Sequence, residues 1–320
     1  MPLFFYCLQE ELIVARIENF TINSNADGLP LSVCVVAPED ASPKALVQLA
    51  HGMAEHKERY LPFMEYLADR GYASIINDHR GHGASVKDPG DLGYFYADGA
   101  NALVKDLHQL TLWFRVRYPG LKLFLFGHSM GSLAVRVYRQ RFDGDIDGLV
   151  VCGSPGPNPA TGAGLFLNKV MTLFKGERYV SKLFANMATG SFSKAFPDPN
   201  TKNAWLSTNQ DNVQKYDADP LCGFPFTLNG YKALLTLMRD TYAPVPAKHP
   251  ELPVHFLSGA EDPCAPDEKG FNAAVQRVKD DGYRTVTAKL YPGMRHELLN
   301  HAERQMVYDD LLAVFEDWRQ

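Results

Sequence analysis

The chain has 320 residues, of which 46% are hydrophobic and 22% charged, the composition of a soluble globular protein with one large domain or two small ones. A net charge of −5 argues against nucleic acid as the main partner, because phosphate binding needs concentrated positive charge. The nearest thing to a basic run, Arg136, Arg139 and Arg141, follows a helical pattern and is read as that helix's solvated face.

The five cysteines (Cys7, Cys34, Cys152, Cys222 and Cys264) are odd in number and scattered, with no CxxC pair. That pattern carries no zinc signature and points to a reducing compartment. Residues 1–15 lack a positive leading segment and carry Glu10 and Glu11, so they do not read as a signal peptide. No stretch approaches the ~18–20 uncharged apolar residues of a membrane span. The expectation is a cytoplasmic protein, monomer or homodimer, with no metal, no cofactor and at most peripheral membrane contact.

In chain order, residues 14–21 and 31–37 read as two strands joined by a turn at Asp27-Gly28, so the chain opens antiparallel. Strands are then expected at 45–50, 72–76, 122–126 and 148–152. They alternate with helices at 58–70, 100–118 and just after residue 129. Continuous apolar strands alternating with amphipathic helices imply a parallel sheet covered on both faces. After Gly153 the rhythm breaks. The segment 154–242 is rich in Gly, Pro, Asn and Phe, with short helical patches at 165–174 and 179–188, and is read as an inserted cap. Strands at 254–258 and 285–290 and helices at 267–281 and 301–318 complete the core, which comprises 1–153 and 243–320. The fold class is therefore α/β, a mostly parallel sheet of about eight strands with helices on both faces and a helical cap.

The chemistry centres on Gly127-His128-Ser129-Met130-Gly131, set between an apolar strand and a helix. Strand, sharp turn and helix with a serine at the tip make a nucleophile elbow, where side chains two residues either side of the serine would strike the strand or helix. A serine hydroxyl needs a base, and the base needs a carboxylate to orient it. In an open parallel sheet both belong at the C-terminal ends of strands. The strand at 254–258 delivers Glu261 and Asp262. Asp262 is preferred because Pro263 restricts its backbone and its short side chain suits a fixed orienting role. The last strand leads to His296, with His301 as the competitor at a helix start. The backbone N–H groups of Met53 and Met130 are the expected oxyanion donors. His51 and the Asp78-His79-Arg80-Gly81-His82-Gly83 loop are read as architecture.

These residues resemble an α/β-hydrolase of the monoacylglycerol lipase and bacterial lysophospholipase-like family. The matching pieces are His51-Gly52-Met53-Ala54-Glu55-His56 with Arg59-Tyr60, the Asp78–Gly83 loop, Gly127–Gly131, Asp262, and Tyr291-Pro292-Gly293-Met294-Arg295-His296-Glu297. Ala54 and Ser132 stand where relatives often have glycine. The resemblance implies Ser129, Asp262 and His296 as a triad, Met53 and Met130 as oxyanion donors, and a serine hydrolase cleaving a small-molecule acyl ester; the apolar, aromatic cap suggests an acyl chain of short to medium length, as in monoacylglycerols or lysophospholipids. Two alternatives are a proline-type aminopeptidase, which would want cap acids such as Asp211, Asp217 and Asp219 to hold an amine, and a non-catalytic ligand-binding relative.

Overall fold

A computed structural model describes residues 15–39, 41–265 and 268–320. Among them, eight strands form one sheet in the order β1-β2-β4-β3-β5-β6-β7-β8. These are β1 (Ala15–Asn23), β2 (Pro30–Pro38), β3 (Ala45–Ala50), β4 (Tyr72–Asn77), β5 (Leu123–His128), β6 (Gly148–Cys152), β7 (Val254–Gly259) and β8 (Val286–Tyr291). β2 runs antiparallel to both its neighbours, and every pair from β4 through β8 is parallel. The central strands read as unbroken apolar runs because both faces are covered: every residue of β3, β4, β5, β6 and β7 is buried.

Alternate side chains feed two cores. Leu125, Leu149, Val151 and Phe256 face one side, with Leu107 and Leu110 of α2 (Gly99–Arg117) and Leu133 and Val137 of α3 (Met130–Phe142). Phe124, Phe126, Val150 and Leu257 face the other, with Phe63 of α1 (Leu61–Ala68) and Leu311 and Phe315 of α9 (Arg304–Arg319).

Between β6 and β7 lie α4 (Thr161–Lys175), α5 (Lys182–Ala195), α6 (Gln210–Ala218) and α7 (Leu228–Thr241). The first two are longer than the patches expected there, and α6 and α7 have no counterpart in the sequence reading. α7 packs on α2, α3 and α4. The next helix, α8, spans Glu268–Asp280, and the expected start at Asp267 lies outside the described residues. Cys7 and the leader reading of residues 1–14 also fall outside them. The four described cysteines are buried and unpaired in disulfides.

The arginines of α3 require a correction. Arg136 and Arg139 do not face solvent; both are fully buried. Arg136 stacks on the Tyr242 ring at 4.6 Å and donates to Ser154 Oγ. Arg139 lies over the Tyr283 ring and pairs with Asp281 at 2.8 Å. Planar guanidinium groups tolerate such burial because aromatic faces and a carboxylate replace water.

Candidate active site

The elbow is built by close approach. Ser129 has φ 54° and ψ −117°, a conformation a non-glycine residue holds only when its surroundings impose it. A Cβ on Gly131 would stand 2.2 Å from the Ala50 carbonyl oxygen, and one on Gly127 would stand 2.5 Å from Val135 Cγ2. The first turn of α3 therefore packs directly against the end of β3, which brings the loop starting at His51 beside Ser129. The Ser129 N–H donates to the Cys152 carbonyl, and Ser132 Oγ donates to the Ser129 carbonyl at 2.5 Å. Ser132 thus uses its hydroxyl to close the turn.

Asp262 follows β7 and His296 follows β8. His296 Nδ1 donates to Asp262 at 3.0 and 2.9 Å, and both side chains are buried. Ser258 Oγ and the Cys264 N–H also donate to Asp262. Burial pushes the Asp262 carboxyl up, but the His296 charge and these hydrogen bonds outweigh it and hold it below its ordinary value. Burial likewise pushes His296 down, and the Asp262 carboxylate wins, holding the imidazole above the ordinary histidine value. With Nδ1 committed to Asp262, Nε2 meets Cys264 Sγ at 3.8 Å. Ser129 Oγ makes no hydrogen bond among the described residues. Trp205 covers the His296 ring, centroid to centroid 5.0 Å.

Ser129 and His296 line one cavity of about 840 Å³, together with Met53 and Met130. The backbone N–H groups of those two methionines donate to nothing among the described residues, and Met130 is the first residue of α3, where such groups are left free. The rest of the wall is mostly apolar, including Leu133, Phe184, Phe192, Phe224, Tyr231 and Met238.

The structure separates the competing residues. Glu261 is exposed and lies near Arg295, away from His296. His301 bonds Thr208 and Glu303 instead. His51 and His79 are buried against each other, the His79 N–H donating to His51 Nε2, and burial pushes both rings well down in pKa, His79 to about 3. Asp78 accepts from Lys57 and Ala84, which folds the 78–84 loop. None of Asp211, Asp217 and Asp219 lines the cavity. Asp217 takes a bond from Asn203, and Asp219 pairs with His56.

Sequence reasoning missed one linking network. Glu55 accepts from the Gly52 N–H at 2.6 Å and from Tyr60. Its other oxygen pairs with Arg59 at 2.6 Å. Arg59 forms a two-pronged pair with Glu297, both bonds 2.7 Å. Asn212 of α6 bonds Arg59 and Glu297 as well. His128 reaches Glu55 through Nδ1 and the His296 carbonyl through Nε2. The loop bearing Met53, the elbow and the loop bearing His296 are thereby joined through one buried cation. The available signal was the density of charge in Glu55–Arg59 and the acid directly after His296.

Residues 41–303 match the family model described as serine aminopeptidase, S33. The chain is 29% identical over 282 residues to a monoacylglycerol lipase from Mycolicibacterium smegmatis, covering 86% of this chain and 89% of that protein. It is 28% identical over 301 residues to human monoglyceride lipase, covering 92% and 88%. A solved carboxyl esterase from Bacillus coagulans, in complex with glycerol, superposes with a TM-score of 0.87 at 25% identity, covering 95% of this chain and 99% of that one. With the fold and the matched span together, the chain belongs to the serine aminopeptidase S33 family and is an α/β-hydrolase similar to the monoacylglycerol lipases.

Proposed function

We propose that this carboxylic ester hydrolase works through an acyl-enzyme formed on Ser129 and that its substrate is a monoacylglycerol-like ester. The observation that carries the reading is the shared cavity: Ser129 and His296 both line it, with the His296 ring held by Asp262. Ser129 Oγ attacks the ester carbonyl while His296 takes its proton. The oxyanion is held by the Met53 and Met130 N–H groups, with the α3 N-terminus adding partial positive charge. His296 then protonates the leaving alcohol, and water activated by the same histidine releases the acid. The segment 154–242 acts as a cap whose Phe184, Phe192 and Phe224 pack the acyl chain.

The aminopeptidase alternative loses its main support, since none of the cap acids that would hold an amine faces the cavity. The carboxylates on its wall, Glu55 and Glu297, are taken by Arg59.

Peripheral membrane contact belongs to the cap as well. No helix among the described residues is long and apolar enough to cross a membrane. Yet Phe166, Leu173 and Phe174 of α4 are 71%, 76% and 82% exposed, and Leu183 and Met187 of α5 are half exposed. The same stretch carries Lys169, Lys175, Arg178, Lys182 and Lys194 against the single acid Glu177, in a chain of net charge −5. An apolar, basic face of this kind suits an anionic lipid surface. A panel of monoacylglycerols, lysophospholipids and aminoacyl amides tests the reading. Ester turnover that vanishes in Ser129→Ala is the expected result, and preferential cleavage of the amides would overturn it.

A further inference from the structure

Outside the Ser129 cavity wall, His56, Asp219 and Cys222 bring one imidazole nitrogen, one carboxylate oxygen and one thiol within 4.8 Å of one another. They come from the loop after β3 and the turn after α6. The spacing suits ligands on a common ion, since tetrahedral zinc sites use Zn–N and Zn–O distances near ~2.0–2.2 Å and Zn–S near ~2.3 Å.

The orientation of each group is fixed from behind. His56 Nδ1 donates to Glu58 at 2.6 Å, which turns Nε2 toward Asp219, 2.9 Å away. Asp219 Oδ1 accepts the Leu221 N–H at 2.8 Å, which leaves Oδ2 for His56. A carboxylate behind a histidine and a backbone donor behind a carboxylate are the outer partners that metal-ligating side chains use to hold ring and oxygen in place. His56 and Cys222 are buried, while Asp219 and Glu58 reach solvent, giving an ion a way in.

From this arrangement we infer that His56 Nε2, Asp219 Oδ2 and Cys222 Sγ form a zinc-binding site distinct from the reaction centre, with a fourth position left for water. A set of one nitrogen, one oxygen and one sulfur suits a borderline-soft ion such as Zn²⁺ rather than Mg²⁺ or Ca²⁺. Zinc takes the place of whatever protons these ligand atoms hold; those protons pass to solvent, and no electrons are transferred.

Occupancy also has a structural consequence. The Ala54 carbonyl accepts from the Gly223 N–H at 2.9 Å and from Tyr216 at 3.0 Å, so the turn bearing Cys222 already touches the residue after Met53. An ion across His56 and Cys222 pins that turn to the Met53 loop.

The test is Zn²⁺ titration of the metal-free full chain against a chromophoric chelator, with Cd²⁺–thiolate absorption as a second readout and thermal unfolding as a check that each variant is folded. A second cluster, Asp262, Cys264 and His296, makes Cys264→Ser the essential control. The site predicts one bound ion, loss of the Cd²⁺ band in Cys222→Ser, and retention of binding in Cys264→Ser. Glu58→Gln, at a half-exposed position, should weaken binding about 10- to 100-fold, the usual effect of removing an outer partner. Absence of saturable binding, full binding in Cys222→Ser, or loss confined to Cys264→Ser would each overturn the inference and leave His56–Asp219 an ion pair alone.

Discussion

Replacing Arg59 with methionine probes the network that joins the three loops of the site. The substitution keeps much of the side-chain volume and removes the charge. Glu55 and Glu297, each 3% exposed, then lose their shared cation. Leaving a buried ion without its partner costs about 3–5 kcal/mol, and two carboxylates are stranded here, so a loss of about 4 kcal/mol is expected. For a chain of this size about 2 °C accompanies each kcal/mol, giving a fall in Tm of about 8 °C.

The pH dependence gives the sign. In the native chain burial pushes both carboxyls up, but Arg59 outweighs it and holds them below their ordinary values. Their contribution is present above the unfolded carboxylate range of about 4.3 and is lost as pH falls through the lower folded values. Without Arg59, burial dominates and the folded values rise above the unfolded ones. The variant is then destabilised as pH rises toward neutrality. The stability gap between the two proteins should be widest near pH 7 and shrink toward pH 4, as followed by thermal unfolding in a pH series. A fall in Tm under about 2 °C, or a gap that does not narrow in acid, would refute the reasoning.

Other outcomes follow from the same geometry. Gly131→Ala places a Cβ 2.2 Å from the Ala50 carbonyl, so ester turnover should drop at least about 100-fold even in protein that folds, as measured by steady-state hydrolysis. Activity should fall on the acid side as His296 takes up a proton, with the midpoint above the ordinary histidine value because Asp262 overcomes burial. Asp262→Asn should move that midpoint to lower pH and cut kcat by about 10⁴-fold, and an unmoved profile would count against the pairing. Sedimentation with anionic vesicles should capture the chain in low salt. Phe174→Glu should reduce capture without changing hydrolysis of a water-soluble ester, and equal capture by neutral vesicles would contradict the charge argument.

Much of the fold was legible because its central strands are buried on both faces. Runs such as Ala45–Ala50 and Gly148–Cys152 carry no polar interruption except Gln48, and their limits in the sequence reading match the structure. Ser129, Asp262 and His296 stood out as candidates because a parallel sheet delivers its loops to one edge, and they follow the ends of β5, β7 and β8. What stayed hidden depends on distant partners. Arg136 and Arg139 look like a charged helix face until Tyr242, Asp281 and Tyr283 are folded against them. Arg59 and Glu297 meet across 238 residues of chain. α7 was readable and was missed: Leu228, Tyr231, Leu235 and Met238 recur at three- and four-residue spacing and pack on the core. The exposed apolar face of α4 was not readable, since periodicity marks which residues share a face and leaves open whether that face is covered.

The central claim is covalent catalysis at Ser129, and the most direct measurement is rapid mixing of the chain with a p-nitrophenyl acyl ester followed by mass analysis of the quenched protein. The account predicts a burst of one p-nitrophenol per chain and an acyl group on the peptide containing Ser129, both absent in Ser129→Ala. Steady turnover with Ser129 unmodified, or turnover that survives in Ser129→Ala, would contradict it.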